Sequence, residues 1–342
     1  MVRQLFSSSF SLDSSSFFGG AFGSLIVASL LSAGCAEPRK APAADEEAAE
    51  SKPAASAKPS GAKTAAPAAT SGISEKPNAK DARKLTEALP PPDRVQKIVN
   101  PKKREPYKGK TGGVRGVVFA TGDASPSRDD VVAKMDSNCT TSRETFGSLF
   151  REGKNRELAD ALVAVTGYDG FVPASGTEVV LKAEGCAWEQ RTVALTFGQG
   201  LAIEGVDNRP YVPEFVEQPM PAQLFVLPTA PKVHLPPQRP GRFTLVDSMR
   251  LFNEAAVFAL PYPTADVSDR KGEFEITGIP VGEVTVNVML PQTNVVREKK
   301  VTIEAGEIVD LKFEIPFSQT DYDKLKKKVP FDQRPAPGKG TP

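Results

Sequence analysis

Between Gly112 and Pro316 the chain consists of short runs in which valine, phenylalanine, isoleucine and threonine recur at every second position. Side chains of an extended strand point alternately to its two faces, so this period buries one face and leaves the other wet. The runs begin with "GGVRGVVFATG", "LVAVT", "EVVLKAE", "RTVALTF" and "LAIEG", and end with "GEFEITGIP", "EVTVNVML", "KKVTIEAG" and "IVDLKFEI". Between these groups lie "QLFVLP", "RFTLVDS" and "EAAVFALP". Breaks rich in glycine, proline and aspartate interrupt them about every eight to twelve residues, the spacing of an antiparallel β-sandwich with Greek-key connections. No long 3.6-residue period separates the runs, which argues against a parallel sheet with crossover helices. The fold class expected is therefore all-β, with one short helix in "TDYDKLKKKVP", capped by Thr320 and stopped by Pro330.

The first third reads differently. Phe17 to Leu31 is an apolar run of the length of a signal h-region, too short to span a bilayer. It leads into "LSAGC", where Ser32, Ala33 and Gly34 before Cys35 resemble the lipobox of bacterial lipoproteins. The resemblance implies cleavage before Cys35 and acylation of its thiol. The protein would then be held to a membrane of the cell envelope, with Ala36 rather than Asp pointing to the outer membrane. The alternative is an ordinary signal peptide whose removal leaves a free thiol. From Ala36 to Gly72 there is no Val, Ile, Leu, Met, Phe, Tyr or Trp, so the segment cannot offset its chain entropy by burial. We read residues 1–34 as signal, 35–110 as a disordered tether, 111–318 as the sandwich, and 319–342 as a basic, Pro-rich tail. The tether reading includes "PPPDRV" at 90–95 and "NPKKREP" at 100–106, whose Lys102, Lys103 and Arg104 form a solvated charge run or touch an anionic surface.

Composition narrows function by exclusion. With 43 basic and 42 acidic residues the net charge is +1, so no concentrated positive field exists for nucleic acid. His234 is the single histidine, which removes the usual general base and the commonest metal ligand from most schemes. No Ser stands on a Gly-x-Ser-x-Gly turn, and no phosphate-cradling loop with its lysine follows a strand. The chain is accordingly read as a non-enzyme without a cofactor. Of the three cysteines, Cys139 and Cys186 lack zinc-like spacing and lie among acids rather than cations. In an exported chain they are expected to form a disulfide.

The order of four segments then carries a family resemblance: "DSNC", "LADALVAV", "VVLKAEGCAWEQRTVALTFGQGLAIEGVDN" and "FALPYPTADVSDRKGEFEITGIPVGEVTV". Over about Gly112 to Pro316 the chain resembles plastocyanin-like (cupredoxin) bacterial envelope proteins, and its last strands resemble a carboxypeptidase regulatory-like module. The step at Gly185, Cys186 and Trp188 and the run from Asp269 to Gly282 carry most of the likeness. In that run Phe274 and Ile276 are expected to face inward, with Gly272, Pro280 and Gly282 shaping turns.

Copper-binding cupredoxins place two imidazoles and a thiolate at three sites, because soft sulfur and borderline nitrogen suit both copper oxidation states. Here the corresponding segments read "VDNRPYVPEF", "LVDSMRLFNEAA" and "LPYP", which keep Asp207 and Met249 but supply no imidazole or thiol. The resemblance thus implies a metal-free sandwich that binds or supports another envelope component. The candidate surface is the former metal end, with Arg209, Pro210, Tyr211, Met249, Phe252, Tyr262 and His234; the partner would be an envelope protein or a glycan. Two readings of its aromatics stand side by side: an exposed patch, or a plug that fills the vacated site as core. Readings from other classes are copper handling by His234, Met249 and a free Cys, and carbohydrate binding.

Overall fold

The computed structural model describes residues 79–328. The signal segment, Cys35 and the tether as far as residue 78 lie outside the described residues, as does the tail beyond 328. The described chain is all-β, with fifteen strands in four sheets. No helix among the described residues is long and apolar enough to cross a membrane.

The span read as one sandwich contains two cores. The first is built by β1 (Thr111–Gly122), β12 (Glu273–Pro280) and β15 (Ile308–Phe317), in the order β12-β1-β15. Facing them is the sheet β11-β2-β13-β14, from Ala265–Val267, Leu162–Thr166, Gly282–Leu290 and Val295–Ile303. Alternation places Val114, Val118, Val163, Val165, Phe274 and Ile276 in this core, so the inward orientation expected of Phe274 and Ile276 holds. Strands β11 to β15 are therefore completed into a sandwich by β1 and β2, which precede the inserted core. Val114 pairs with both Ile276 and Val309.

The second core is an insertion between β2 and β11. One of its sheets is β4-β3-β6-β8, from Ala187–Trp188, Glu178–Glu184, Gly200–Gly205 and Val233–Leu235. The other is β5-β10-β9-β7, from Thr192–Thr196, Arg250–Leu260, Gly241–Asp247 and Pro213–Phe215. Antiparallel pairing predominates, with parallel pairs at β1–β15, β3–β6 and β5–β10.

The run "AAVFAL" explains how the two cores stack. Ala255, Val257 and Ala259 face the inserted core, while Ala256, Phe258 and Leu260 face Leu162 and Met289 of the first sandwich. A strand covered on both faces needs a continuous apolar run rather than alternation, and β10 supplies one.

Two stretches differ from expectation. Within the supposed tether, α1 (Ala79–Thr86) and α2 (Pro92–Val99) are helical. Pro92 occupies the first turn of α2, where its fixed φ and missing N–H cost nothing. Val95, Ile98 and Val99, one helical stripe, pack on the inserted core. Asn100 then closes the following loop by exchanging hydrogen bonds with the Arg104 backbone at 2.7 and 2.9 Å, and Arg104 pairs with Asp169. The tether reading of "PPPDRV" and "NPKKREP" is thus overturned, because the apolar stripe gives that segment surface to bury. The polar stretch around Cys139 likewise forms α3 (Asp129–Val132) and α4 (Thr140–Phe146), the latter anchored by fully buried Phe146. At the far end α5 (Gln319–Lys328) begins one residue before the expected cap. Ser318, not Thr320, takes the Asp321 N–H on its hydroxyl, at 3.3 Å.

Candidate functional site

The disulfide between Cys139 and Cys186 is present, with the Cα atoms 5.4 Å apart. Cys186 and Gly185 both have positive φ, at +68° and +58°, and form the two central residues of the β3–β4 hairpin turn. Such a turn twists with its strands and favours glycine at its left-handed positions. A Cβ at Gly185 would also lie 2.3 Å from Thr141 Oγ1, so the close approach of α4 requires glycine there.

Both amides of this turn point into a polar knot at the end of β6. Gly185 N–H donates to Asp207 Oδ2 at 2.8 Å, and Cys186 N–H donates to the Tyr211 hydroxyl at 3.2 Å. Tyr211 in turn donates to Asp207, whose other partners are the backbone and guanidinium N–H groups of Arg209. Burial tends to raise the Asp207 pKa, but the Arg209 guanidinium, the two backbone amides and the tyrosine hydroxyl outweigh it. The carboxyl is held below the usual range. Burial, reinforced by the Asp207 charge, pushes the Tyr211 hydroxyl far up, so it remains protonated and donating.

Tyr211 is fully buried, with its ring 5.6 Å from that of Trp188 and under the Arg250 guanidinium at 5.2 Å. Tyr211 is therefore core and not part of an exposed patch. Arg250 is held by Asp247 at 3.0 Å, and Asp247 also takes the N–H groups of Val212 and Met249. Trp188 donates its backbone and indole N–H groups to Asn253. The segment "LVDSMRLFNEAA" is therefore a β9–β10 hairpin rather than an open loop, with a register shift between Arg250 and Glu254 that reaims Asn253 inward. Sequence reasoning missed Asp247, Arg250 and Asn253. The three-residue spacing of Asp247 and Arg250 beside a turn was the available signal.

The remaining candidates disperse. Phe252 is half-buried, edge-on to Phe146 at 6.2 Å. Met249 is exposed at the hairpin tip, as is Leu251. Tyr262 has a buried hydroxyl with no hydrogen-bond partner among the described residues, beside a small recess that Glu178 also lines. His234, on β8, reaches Glu178 Oε2 with its Nε2 at 2.9 Å. Its register partner is Ala202, whereas Asp207 lies beyond the other end of β6, roughly 15 Å away at strand rise. Arg209, Pro210, Tyr211 and Met249 are thus gathered at one end, while His234 and Tyr262 are not with them. The copper set of His234, Met249 and a free Cys is not assembled among the described residues, since the two cysteines there, Cys139 and Cys186, are bonded to each other. No group of three His, Cys, Asp or Glu side chains is gathered for a metal among the described residues.

No protein-family model matches this chain, and no curated protein matches it.

Proposed function

We propose that this chain is a non-enzymatic envelope protein, lipid-anchored through Cys35, whose inserted cupredoxin-like sandwich serves as a binding module for another envelope protein. The supporting observation is Tyr211. Its ring fills the interior near where the resemblance expects an imidazole, and its hydroxyl is locked by Asp207 and the Cys186 amide. A site sealed by core packing has scaffold rather than redox character. What it leaves to a partner is the β9–β10 tip, where Met249 and Leu251 are 55% and 72% exposed beside half-buried Arg209 and Pro210. Apolar side chains rimmed by a cation form an ordinary protein-docking composition.

Two measurements test the proposal. Cys35→Ala should move the protein from the membrane fraction to the soluble one, and retention would remove the anchor. Capture from native envelope by that soluble chain should be lost in Met249→Asp/Leu251→Asp while Tm stays within a few degrees. Unchanged capture, or a stable blue chromophore with one cupric ion per chain, would overturn the binding-module reading.

A further inference from the structure

The segment before β1 is held differently from the strand it leads into. From Ala79 to Tyr107 the chain runs over the inserted sandwich as a strap that contains α1 and α2. No residue of α2 is fully buried; Val95, Ile98 and Val99 are half-buried where they rest on the inserted core. Polar attachments come one at a time along the strap. The Glu87 carboxylate accepts the His234 N–H at 3.4 Å, and Gln238 Nε2 donates to the Ala88 carbonyl at 2.8 Å. Further on, Arg104 pairs with Asp169, and the Tyr107 N–H donates to the Phe171 carbonyl at 2.8 Å. Exposed stretches separate these points, among them Pro91 to Arg94 and Pro101 to Lys103.

Strand β1 is the opposite case. It is the middle strand of its sheet, in register with β12 from Thr111 to Val117 and with β15 from Gly113 to Gly122. Ladder bonds run across a strand, so a pull along β1 loads them together, in shear. A pull on Ala79 instead reaches the strap's attachments in succession, and each must hold alone. Segments with shallow burial and few contacts open at free energies well below that of global unfolding.

We propose that residues 79–107 are a tension-released strap. Pulled from their N-terminal side, they peel from the inserted sandwich before either core opens, and they dock again when the load falls. Gly198 gives α2 a defined seat for that return: Val95 occupies the space its missing side chain leaves, where a Cβ would come within 2.6 Å of Val95 Cγ1. Fully extended, the strap spans at most about 100 Å, a reserve of reach that leaves both sandwiches folded. The device rests on the functional reading in one respect, since the anchor at Cys35 and a partner at the β9–β10 tip supply the load.

Single-molecule pulling on the full chain tests the strap with neither lipid nor partner, so its outcome is separate from those of membrane fractionation and capture. In the Cys35→Ala background, Asn78→Cys/Met249→Cys gives thiol handles that include the strap, and Lys108→Cys/Met249→Cys gives handles that bypass it. Cys139 and Cys186 do not compete, being bonded to each other. The first pair of handles should show a low-force step that precedes all others, reverses on relaxation and lengthens the chain by at most about 100 Å. The second pair should lack that step and keep the later ones. Ile98→Asp, which puts a charge into the α2 contact, should lower the force of the first step by about half or more and leave the later forces unchanged. The proposal is overturned by no separate first step, by a first step longer than the strap, by the same first step from both pairs of handles, or by an unchanged force in Ile98→Asp.

Discussion

Arg151 grips Asp160 through two hydrogen bonds of 2.6 Å, Nε to Oδ2 and Nη2 to Oδ1. Asp160 is almost wholly buried, and it also accepts the Arg191 N–H on Oδ1 and the Thr192 hydroxyl on its carbonyl. One carboxylate at the start of β2 thus fixes the start of β5, joining the first sandwich to the inserted one. Removing one member of a buried ion pair leaves an uncompensated charge, which costs about 3–5 kcal/mol. Asp160→Ala should lose that much in urea denaturation, and Asp160→Asn, which keeps an acceptor, clearly less.

Tyr211 separates packing from hydrogen bonding. Tyr211→Phe removes the hydroxyl that serves Asp207 and the Cys186 amide and should cost about 1–3 kcal/mol, the penalty of buried groups left unsatisfied. Tyr211→Ala also opens a cavity beside Trp188 and should cost about 3–5 kcal/mol. Calorimetric melting distinguishes the two. An Ala variant that loses partner capture while keeping its Tm would restore the exposed-patch reading.

The Asp207 knot predicts the direction of one pH effect. Because the folded carboxyl has a lowered pKa, its contribution to stability is fully present above the unfolded value of about 3.9 and is lost as pH falls through the folded value. Asp207→Asn should flatten that part of the acid-unfolding curve below about pH 4 and change little of its slope at neutral pH. An unchanged acid slope in the variant would show that other carboxylates govern it.

The Cys139–Cys186 bridge spans 47 positions and closes a loop of a size for which chain entropy predicts about 3–4 kcal/mol. Cys139→Ser/Cys186→Ser should lose this much in denaturation. Hydrogen exchange should rise first in α4, which Cys139 immediately precedes.

The α2 segment offers a local test. Gly198 has φ +105°, and a Cβ there would lie 2.6 Å from Val95 Cγ1. Gly198→Ala should therefore displace α2, read as faster amide exchange across residues 92–99, with the inserted core still protected. Uniform loss of protection would place α2 inside the global folding unit.

The alternating strands were legible because a half-buried sheet imprints its period locally: Val193, Leu195 and Phe197 are all buried, as their spacing requires. The disulfide was expected from the lack of zinc-like spacing around Cys139 and Cys186, together with the expectation of export. The division into two cores was not legible, because β1 pairs with residues more than 150 positions away and no local pattern encodes so distant a partner. The α2 segment was misread because three prolines dominate "PPPDRV", although the stripe Val95, Ile98 and Val99 was there to be counted. At the candidate site the scarcity of imidazole and thiol was legible, but Tyr211 was as compatible with a surface as with a core until its hydroxyl was placed between the Cys186 amide and Asp207.

The chain leaves β2 after Thr166 and returns at Ala265, which sits in register with Ala164. Departure and return points that adjoin in this way make the intervening hundred or so residues a removable cassette. A short splice across that doorway would restore a continuous host chain with its own β-ladders untouched. The covalent stitch from Cys139 to Cys186 fastens that cassette to the host at a second point, remote from the doorway.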